Sequence, residues 1–330
     1  MWFEALTGFK EETPEQVRQN LHLDGAMITS RVNGRQFQCG HLTTPRLADL
    51  RREAREFFKE TGQLQVREVI GDVQYFHGLP EHAGAFFQAA SQFNLLEMIS
   101  PEVTPEMGIG RYSYDKTQGP ACAIACGAGT IYRNYFVELG EQIGQLSGRQ
   151  VDCLEDIGRH FDNERHQHWV MQNGYALATE KGLATIGQHL EQCSAAEYDA
   201  IKSLLRIGIQ WDTEVTITEQ KQLVTQAYCS AMPVAYSPVS AAVWEAFARL
   251  VLEASYEATL YAALLNRQAT GNKQVFLTLL GGGAFGNKSI WIADAIQQAL
   301  QLFAKQDLEL IFVSYGSSSP LVQSICADWK

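Results

Sequence analysis

The sequence predicts an α/β protein, a sheet with helices packed on both faces. Three observations carry that expectation. Short apolar runs alternate with amphipathic stretches along the 330 residues. One run, Val275-Phe-Leu-Thr-Leu-Leu280, passes through Gly281-Gly-Gly-Ala-Phe-Gly-Asn287 into a segment that sets Trp291, Ile292, Ala295, Ile296, Ala299 and Leu300 on one face. That order reads as buried strand, glycine turn and helix. A last apolar run, 308–315, closes the series.

From the N-terminus, residues 10–60 are rich in charge and glutamine, and Thr44-Pro45 opens a helix expected over 46–61, with Leu47, Leu50, Ala54 and Phe57 at helical spacing. Leu64-Gln-Val-Arg-Glu-Val-Ile70 alternates as a half-buried strand does, and Gly71-Asp72 ends it. A more buried strand is expected at 84–90. The many prolines and glycines between 101 and 130 read as one long loop. A helical region is expected over roughly 130–205, strands at 204–218 and 223–233, and a helix at 239–266. One domain with a helical N-terminal extension, 1–63, packed on a core of 64–330, is the simplest division.

Composition narrows the function. The chain is 46% hydrophobic and 19% charged with net charge -11, so long-range electrostatics disfavour nucleic acid. The most apolar long segment, 241–265, carries Glu245, Arg249, Glu253 and Glu257 as a polar stripe, which rules against a membrane span. The N-terminus has no basic region or long apolar run. Seven scattered cysteines fit reduced thiols and an expected cytoplasmic location. No Cys or His set has metal-site spacing, so no metal is expected. The chain sets no oligomeric state.

The glycine turn is the strongest chemical signal. Four glycines in 281–286 let backbone approach a ligand, and N–H groups converging at a helix N-terminus hold anions, above all a diphosphate. Gly281-x-Gly283-x-x-Gly286 matches the dinucleotide fingerprint formally, but it sits in the last unit, and the next strand ends in Ser314-Tyr-Gly-Ser-Ser-Ser319 without an acid. No Lys-Ser/Thr follows, so it is not a P-loop. Asp72, at a strand end, suits either an exocyclic amine or a helix cap. Ser91, Gln92 and Asn94 suit ribose hydroxyls or loop backbone. Asp115 lies among aromatics in Tyr112-Ser-Tyr-Asp-Lys-Thr-Gln-Gly-Pro120, as a general base or acid or as a turn residue. Gly127 and Gly129 offer a second set of amides. Asp212 and Glu214, two apart on an expected strand, should share a face.

Together, FNLLEM (93–98), YDKTQGPACA (114–123), GAGTIYRNYF (127–136) and GGGAFGN (281–287) resemble the macrodomain superfamily. They look most like its MavL-like branch of ADP-ribosylarginine hydrolases, a distant relative of poly(ADP-ribose) glycohydrolase. The resemblance spans 64–330. It implies a three-layer α/β/α macrodomain-like mixed sheet with helical insertions, ADP-ribose as ligand with no cofactor, and ADP-ribosylated protein as partner. It implies that Asp72 holds the adenine amine, and that Gly127, Ala128, Gly129 and Thr130 clasp the phosphates together with Gly281, Gly282, Gly283, Ala284, Gly286 and Asn287. Phe285 would pack beside the distal ribose. Asp115 would lie by the anomeric carbon, with Glu102, Glu106 and Glu214 as reserve candidates, and Gln118 would join the ligand-binding set. Where many macrodomains carry Ala-Ala-Asn, this chain has Ala89-Ala90-Ser91, with Asn94 three residues on; Ser91 and Asn94 both stand for that role. The glycohydrolase's paired glutamates after a triple glycine are missing. The implied activity is release of ADP-ribose from protein, from arginine in particular; the alternative is a reader that binds ADP-ribose without turnover. An NAD-dependent oxidoreductase ranks behind both.

Overall fold

The computed structural model describes residues 1–59 and 61–329. Its centre is a seven-stranded mixed sheet. In chain order the strands are β1 (His41–Thr43), β2 (Gln65–Ile70), β3 (Phe86–Ala90), β4 (Gly208–Glu214), β5 (Leu223–Cys229), β6 (Gln274–Leu277) and β7 (Glu309–Ser314). Their spatial order is β1-β4-β5-β3-β6-β7-β2. The run from β5 to β2 is parallel, and β4 is antiparallel to both its neighbours.

Burial explains the strand sequences. Ala85 to Ala89 are buried on both faces of the central β3, so this strand is almost continuously apolar. β2 is an edge strand, and its alternation keeps Arg67 free to pair with Glu309 and Glu68 with Ser314. Side chains of β3 separate by face as strand geometry requires. Phe87 stacks on His77 of α1 (Val73–Gly78), ring centroids 3.7 Å apart. Gln88 points the other way and donates to Thr259 of the long helix Ala241–Thr270 at 2.9 Å.

Helices α1, α2 (Gln118–Ala125) and α3 (Gly127–Tyr135) cover one face, while α4 (Ala241–Thr270) and α5 (Ser289–Leu302) cover the other. The architecture is therefore the expected α/β/α arrangement. α4 runs four residues beyond its expected end because Gly271 takes a left-handed conformation (φ 78) and closes the helix through Arg267.

Four expectations change. The loop at 101–130 ends at Thr117: α2 and α3 occupy 118–135. Pro120 lies in the first turn of α2, where its missing N–H costs nothing. The region 130–205 is not helical throughout. Trp169–Gln172 and Tyr175–Ala178 form a hairpin closed by Asn173-Gly174, both at positive φ (45 and 83), the pairing that two-residue hairpin turns favour. The segment 1–63 is not simply helical either. It holds helices Trp2–Thr7 and Pro14–Asn20, a three-stranded antiparallel sheet over 21–38, and β1, which completes the central sheet beside β4. Finally, the helix expected at 46–61 stops at Glu53, with a short 3-10 turn at Phe57–Lys59; Glu60 lies outside the described residues. Among the described residues no helix is long and apolar enough to cross a membrane.

Candidate active site

The site begins where β3 loses a neighbour. β6 pairs with β3 only at Phe86 and Phe87; beyond them the strands part at their C-terminal ends. Gln118, opening α2, fills the gap like one more strand residue. Its Oε1 accepts from Ala90 N at 3.0 Å and its Nε2 donates to the Gln88 carbonyl at 2.8 Å. Above it lies a cavity of about 270 Å³ between the ends of β3, β5 and β6, the position where open α/β sheets bind ligands.

One wall is the glycine turn. Within it, the amides of Gly282, Gly286 and Asn287 are spent on Leu279, Gly283 and Gly281 carbonyls. Those of Gly283, Ala284 and Phe285 have no acceptor within the described residues, and all three residues line the cavity. Asn287 pins the turn from behind by donating to the Met232 carbonyl at 2.8 Å. Gly281 needs its missing side chain: at φ 71, a Cβ would sit 2.5 Å from Ala231 Cβ and 2.6 Å from Asn287 Nδ2. Gly283 faces open space. Gly281→Ala should therefore cost about 1–3 kcal/mol, while Gly283→Ala should stay within about 0.5 kcal/mol of the parent. Thermal melts of the two variants check this; equal losses would mean that the turn is not built as described.

A second wall is aromatic. Tyr175, Tyr236 and Phe285 lie with ring centroids 5.0 to 5.6 Å apart, and Tyr175 is fixed by donating to the Met98 carbonyl at 2.6 Å. The third wall carries two carboxyl groups, Asp115 and Glu97. Asp115 sits in a turn, half-buried, its Oδ1 accepting from Thr117 N at 2.8 Å. Glu97 is only 6% exposed, and its Oε1 has no partner. Burial pushes its carboxyl well above the usual value of 4.5; the Arg133 guanidinium offsets part of this, and Asp115 adds to it.

The geometry around Glu97 is costly. Leu95 takes φ 66 in the turn leading to it, a conformation worth about 1–2 kcal/mol of strain in a non-glycine residue. Beneath, Arg133 is buried, stacked on the Tyr228 ring at 3.6 Å. It bonds the Leu95 carbonyl, Gln210 Oε1 and Thr130 Oγ1, with no carboxylate within 4.0 Å among the described residues. Gly119, at the start of α2, leaves the space that the Ala90 carbonyl and the Glu97 carboxyl occupy.

The sequence-predicted residues divide clearly. Ser91, Asp115, Gln118, Gly281, Gly283, Ala284 and Phe285 line the cavity together, and Gly282, Gly286 and Asn287 hold the turn's shape. Of Ser91 and Asn94, only Ser91 is on the lining; Asn94 is buried, bonded to Gln150 Oε1 and Leu96 N. Asp72 is exposed and caps α1, accepting from Gln74 N at 2.8 Å, off the lining. Gly127, Ala128, Gly129 and Thr130 form a buried helix start instead of a second amide loop. A Cβ on Gly127 would meet Trp2 at 2.8 Å, and one on Gly129 would meet Thr213 at 2.7 Å; these glycines serve helix packing. Glu102 is exposed off the lining, Glu106 accepts from Ser147 N, and Glu214 accepts from Gln38 N. A bulge with Asp212 at φ 51 breaks the shared face expected of Asp212 and Glu214. The motif reading passed over Glu97, Tyr175 and Tyr236. For Glu97 a signal existed: one acid inside Leu95-Leu96-Glu97-Met98-Ile99.

No protein-family model matches the chain, and no curated protein does. Solved structures do, at low identity. The chain is similar to poly(ADP-ribose) glycohydrolase from Thermomonospora curvata, with 12% identity, a TM-score of 0.49 and 96% of each chain covered. It is also similar to that enzyme from the same organism bound to the inhibitor ADP-HPD, with 12% identity, a TM-score of 0.48 and 95% of each chain covered. A third is poly(ADP-ribose) glycohydrolase from Deinococcus radiodurans in complex with ADP-ribose, with 14% identity, a TM-score of 0.47, and 87% of this chain and 92% of that one covered. The fold class rests on the sheet and layers described above.

Proposed function

We propose that this protein is a hydrolase that releases ADP-ribose from ADP-ribosylated protein, cleaving the N-glycosidic bond to arginine. One observation carries the reading: a single cavity is lined both by residues 283–285, whose amides are unspent, and by two carboxyl groups, one buried and one half-buried. The amides suit a diphosphate. A buried carboxyl held protonated by its surroundings, beside a half-buried second carboxyl, suits acid and base roles at one glycosidic bond.

In the proposed reaction the diphosphate rests on the turn and holds the distal ribose along Phe285, with its anomeric carbon facing Asp115. The bond between that carbon and the arginine nitrogen breaks, and its electron pair leaves with the guanidine. The Asp115 carboxylate stabilises the cationic sugar and takes a proton from the attacking water, whose oxygen bonds the carbon. The Glu97 carboxyl gives its proton to the departing guanidine, and the proton on Asp115 restores Glu97. ADP-ribose and a guanidinium side chain are the products, and the protons balance.

Incubation with arginine-ADP-ribosylated protein should release free ADP-ribose. Asp115→Asn should lower that rate by about 10²–10⁴-fold and leave calorimetric ADP-ribose affinity within a few-fold. An unchanged rate would remove Asp115 from the chemistry. Tight ADP-ribose binding with no release from arginine, glutamate or serine conjugates would make the protein a reader.

A further inference from the structure

The apolar packing of this chain divides in two. The glycine turn rests on the main core, through Ala231, Met232 and Leu280. Leu96 and Met98, on either side of Glu97, and Ile109 and Tyr112, ahead of Asp115, belong to a second core that the N-terminal segment completes with Phe3 and Leu6. The amide wall and the carboxyl wall of the cavity are therefore mounted separately. We propose that Glu11 is a positioning residue for the reaction, the group through which the N-terminal segment sets where Asp115 and Glu97 stand. This inference rests on the reading above and adds to it what aligns the two carboxyl groups.

Glu11 lies between the helices Trp2–Thr7 and Pro14–Asn20, off the cavity lining. Its Oε2 accepts from Gly110 N at 2.6 Å; its Oε1 accepts from Ile109 N at 3.0 Å and from the Tyr135 hydroxyl at 2.5 Å. The Ile109 carbonyl is held as well, accepting from Trp2 Nε1 at 3.2 Å and from Tyr112 N at 3.1 Å. Both backbone groups of Ile109 are thus tied to the N-terminal segment where the 3-10 turn Gly110–Tyr114 begins. From that turn the path to the chemistry is short. Asp115 N donates to the Tyr112 carbonyl at 3.1 Å, and the Tyr112 hydroxyl accepts from Glu97 N at 2.8 Å. A displacement of the turn therefore moves both carboxyl groups.

The loop sequence makes room for this contact. Gly108 stands at φ 86, and a Cβ there would lie 2.5 Å from Glu11 Oε2; a Cβ on Gly110 would lie 2.8 Å from the same atom. The carboxyl also comes at a cost. Burial pushes it above the usual 4.5, and the Tyr135 hydroxyl, the two loop amides and Arg111 offset that in part. An apolar side chain packed on Tyr135 would avoid the penalty, but it could not accept from two loop amides.

The test uses the full chain. Glu11→Gln keeps the side chain's shape, but in either orientation its amide nitrogen faces one of the two loop N–H groups, so the contact opens. The kcat on arginine-ADP-ribosylated protein should fall about 10²-fold, the order that a misplacement near 1 Å costs, while calorimetric ADP-ribose affinity stays within about twofold. A role in stability alone would leave kcat per folded molecule unchanged. Tyr135→Phe removes one bond to Glu11 and leaves both amides held, so it should lower the melting temperature and keep kcat within about threefold. If Glu11→Gln does not fold, Trp2→Phe decides: it drops only the bond to the Ile109 carbonyl and should show the same split at about tenfold. Hydrogen exchange over 108–115 should quicken in Glu11→Gln, with 281–287 unchanged. Equal losses of kcat and ADP-ribose affinity, an unchanged kcat, or unchanged exchange over 108–115 would overturn the assignment. A parent that releases no ADP-ribose would overturn the hydrolase reading instead, and the exchange measurement would still decide whether Glu11 holds the loop.

Discussion

Replacing Glu97 by glutamine is expected to slow turnover by orders of magnitude and, above acid pH, to stabilise the protein. The catalytic part follows from proton transfer: the amide has the carboxyl's shape but cannot give up a proton to the leaving guanidine, so the rate of ADP-ribose release should fall about 10²–10⁴-fold while ADP-ribose still binds. The stability part follows from linkage. Burial raises the Glu97 carboxyl well above the value of 4.5 expected in an unfolded chain. Between those two values the unfolded chain loses the proton and the folded chain keeps it. The neutral form's contribution is thus complete below pH 4.5 and is lost as pH rises through the raised folded value. Glutamine suffers no such loss, so the difference in melting temperature, variant minus parent, should start near zero at pH 4 and grow toward pH 8. The opposing possibility has a different signature. If Glu97 were ionised and paired with buried Arg133, removing it would leave an uncompensated charge and cost about 3–5 kcal/mol near neutral pH. Melts of parent and variant across pH 4–8 separate the two, and a variant less stable at pH 7 would sink the proton-donor role.

Much of this fold is legible in the sequence because strand burial leaves a direct trace. Val275 to Leu277 and the run ending at Ser314 read correctly, since parallel strands covered on both faces are apolar without interruption. β2 read correctly for the opposite reason, its edge position showing as alternation. What failed was context. Gly119-Pro120 and Gly127-Ala-Gly129 look like chain breakers, but in the fold they are helix starts where backbone must pass close to Trp2, Thr213 or Ala90. A glycine set aside for a ligand and one set aside for a neighbouring side chain are the same letter. The Asn173-Gly174 turn was a readable hairpin signal that the helical reading of 130–205 overrode. The glycine turn and Asp115, which line one cavity, stand out in the sequence because each sits in a local motif. Of the aromatic wall only Phe285, inside the glycine motif, is legible; Tyr175 and Tyr236 come from distant segments and meet it only through the fold. The expected pair of amide loops reduces to one loop, at 281–287: the resemblance implies that 127–130 joins it, and the packing of α3 places those residues against the N-terminal segment and β4 instead.

Gly119→Ala tests how tightly that site is assembled, because two effects of opposite sign compete there. In an ordinary helix, alanine in place of glycine stabilises by about 0.5–1 kcal/mol. At position 119 the added methyl would overlap both the Ala90 carbonyl oxygen and the Glu97 carboxyl. Neither can yield cheaply. Ala90 is registered against Cys229 in the parallel ladder of β3 and β5, and Glu97 is enclosed, with its backbone N–H held by Tyr112. α2 must therefore back away from the sheet. That motion pulls Gln118 off Ala90 N and the Gln88 carbonyl, leaving two backbone groups unpaired at about 1–3 kcal/mol each. Overpacking adds about 1–3 kcal/mol. Even with partial rescue by water in the cavity, the steric side exceeds the helix gain, and a net loss of about 2–4 kcal/mol is expected. Thermal melting should fall by several degrees, and ADP-ribose release should be lost along with it, since the same shift moves Asp115 and Glu97 relative to the glycine turn. For the melting temperature, Gly283→Ala, with open space around its methyl, is the matched control. A Gly119→Ala protein that melts at or above the parent temperature would show that α2 does not press against β3 and Glu97, and the carboxyl pair would then lack the fixed positions on which the proposed chemistry depends.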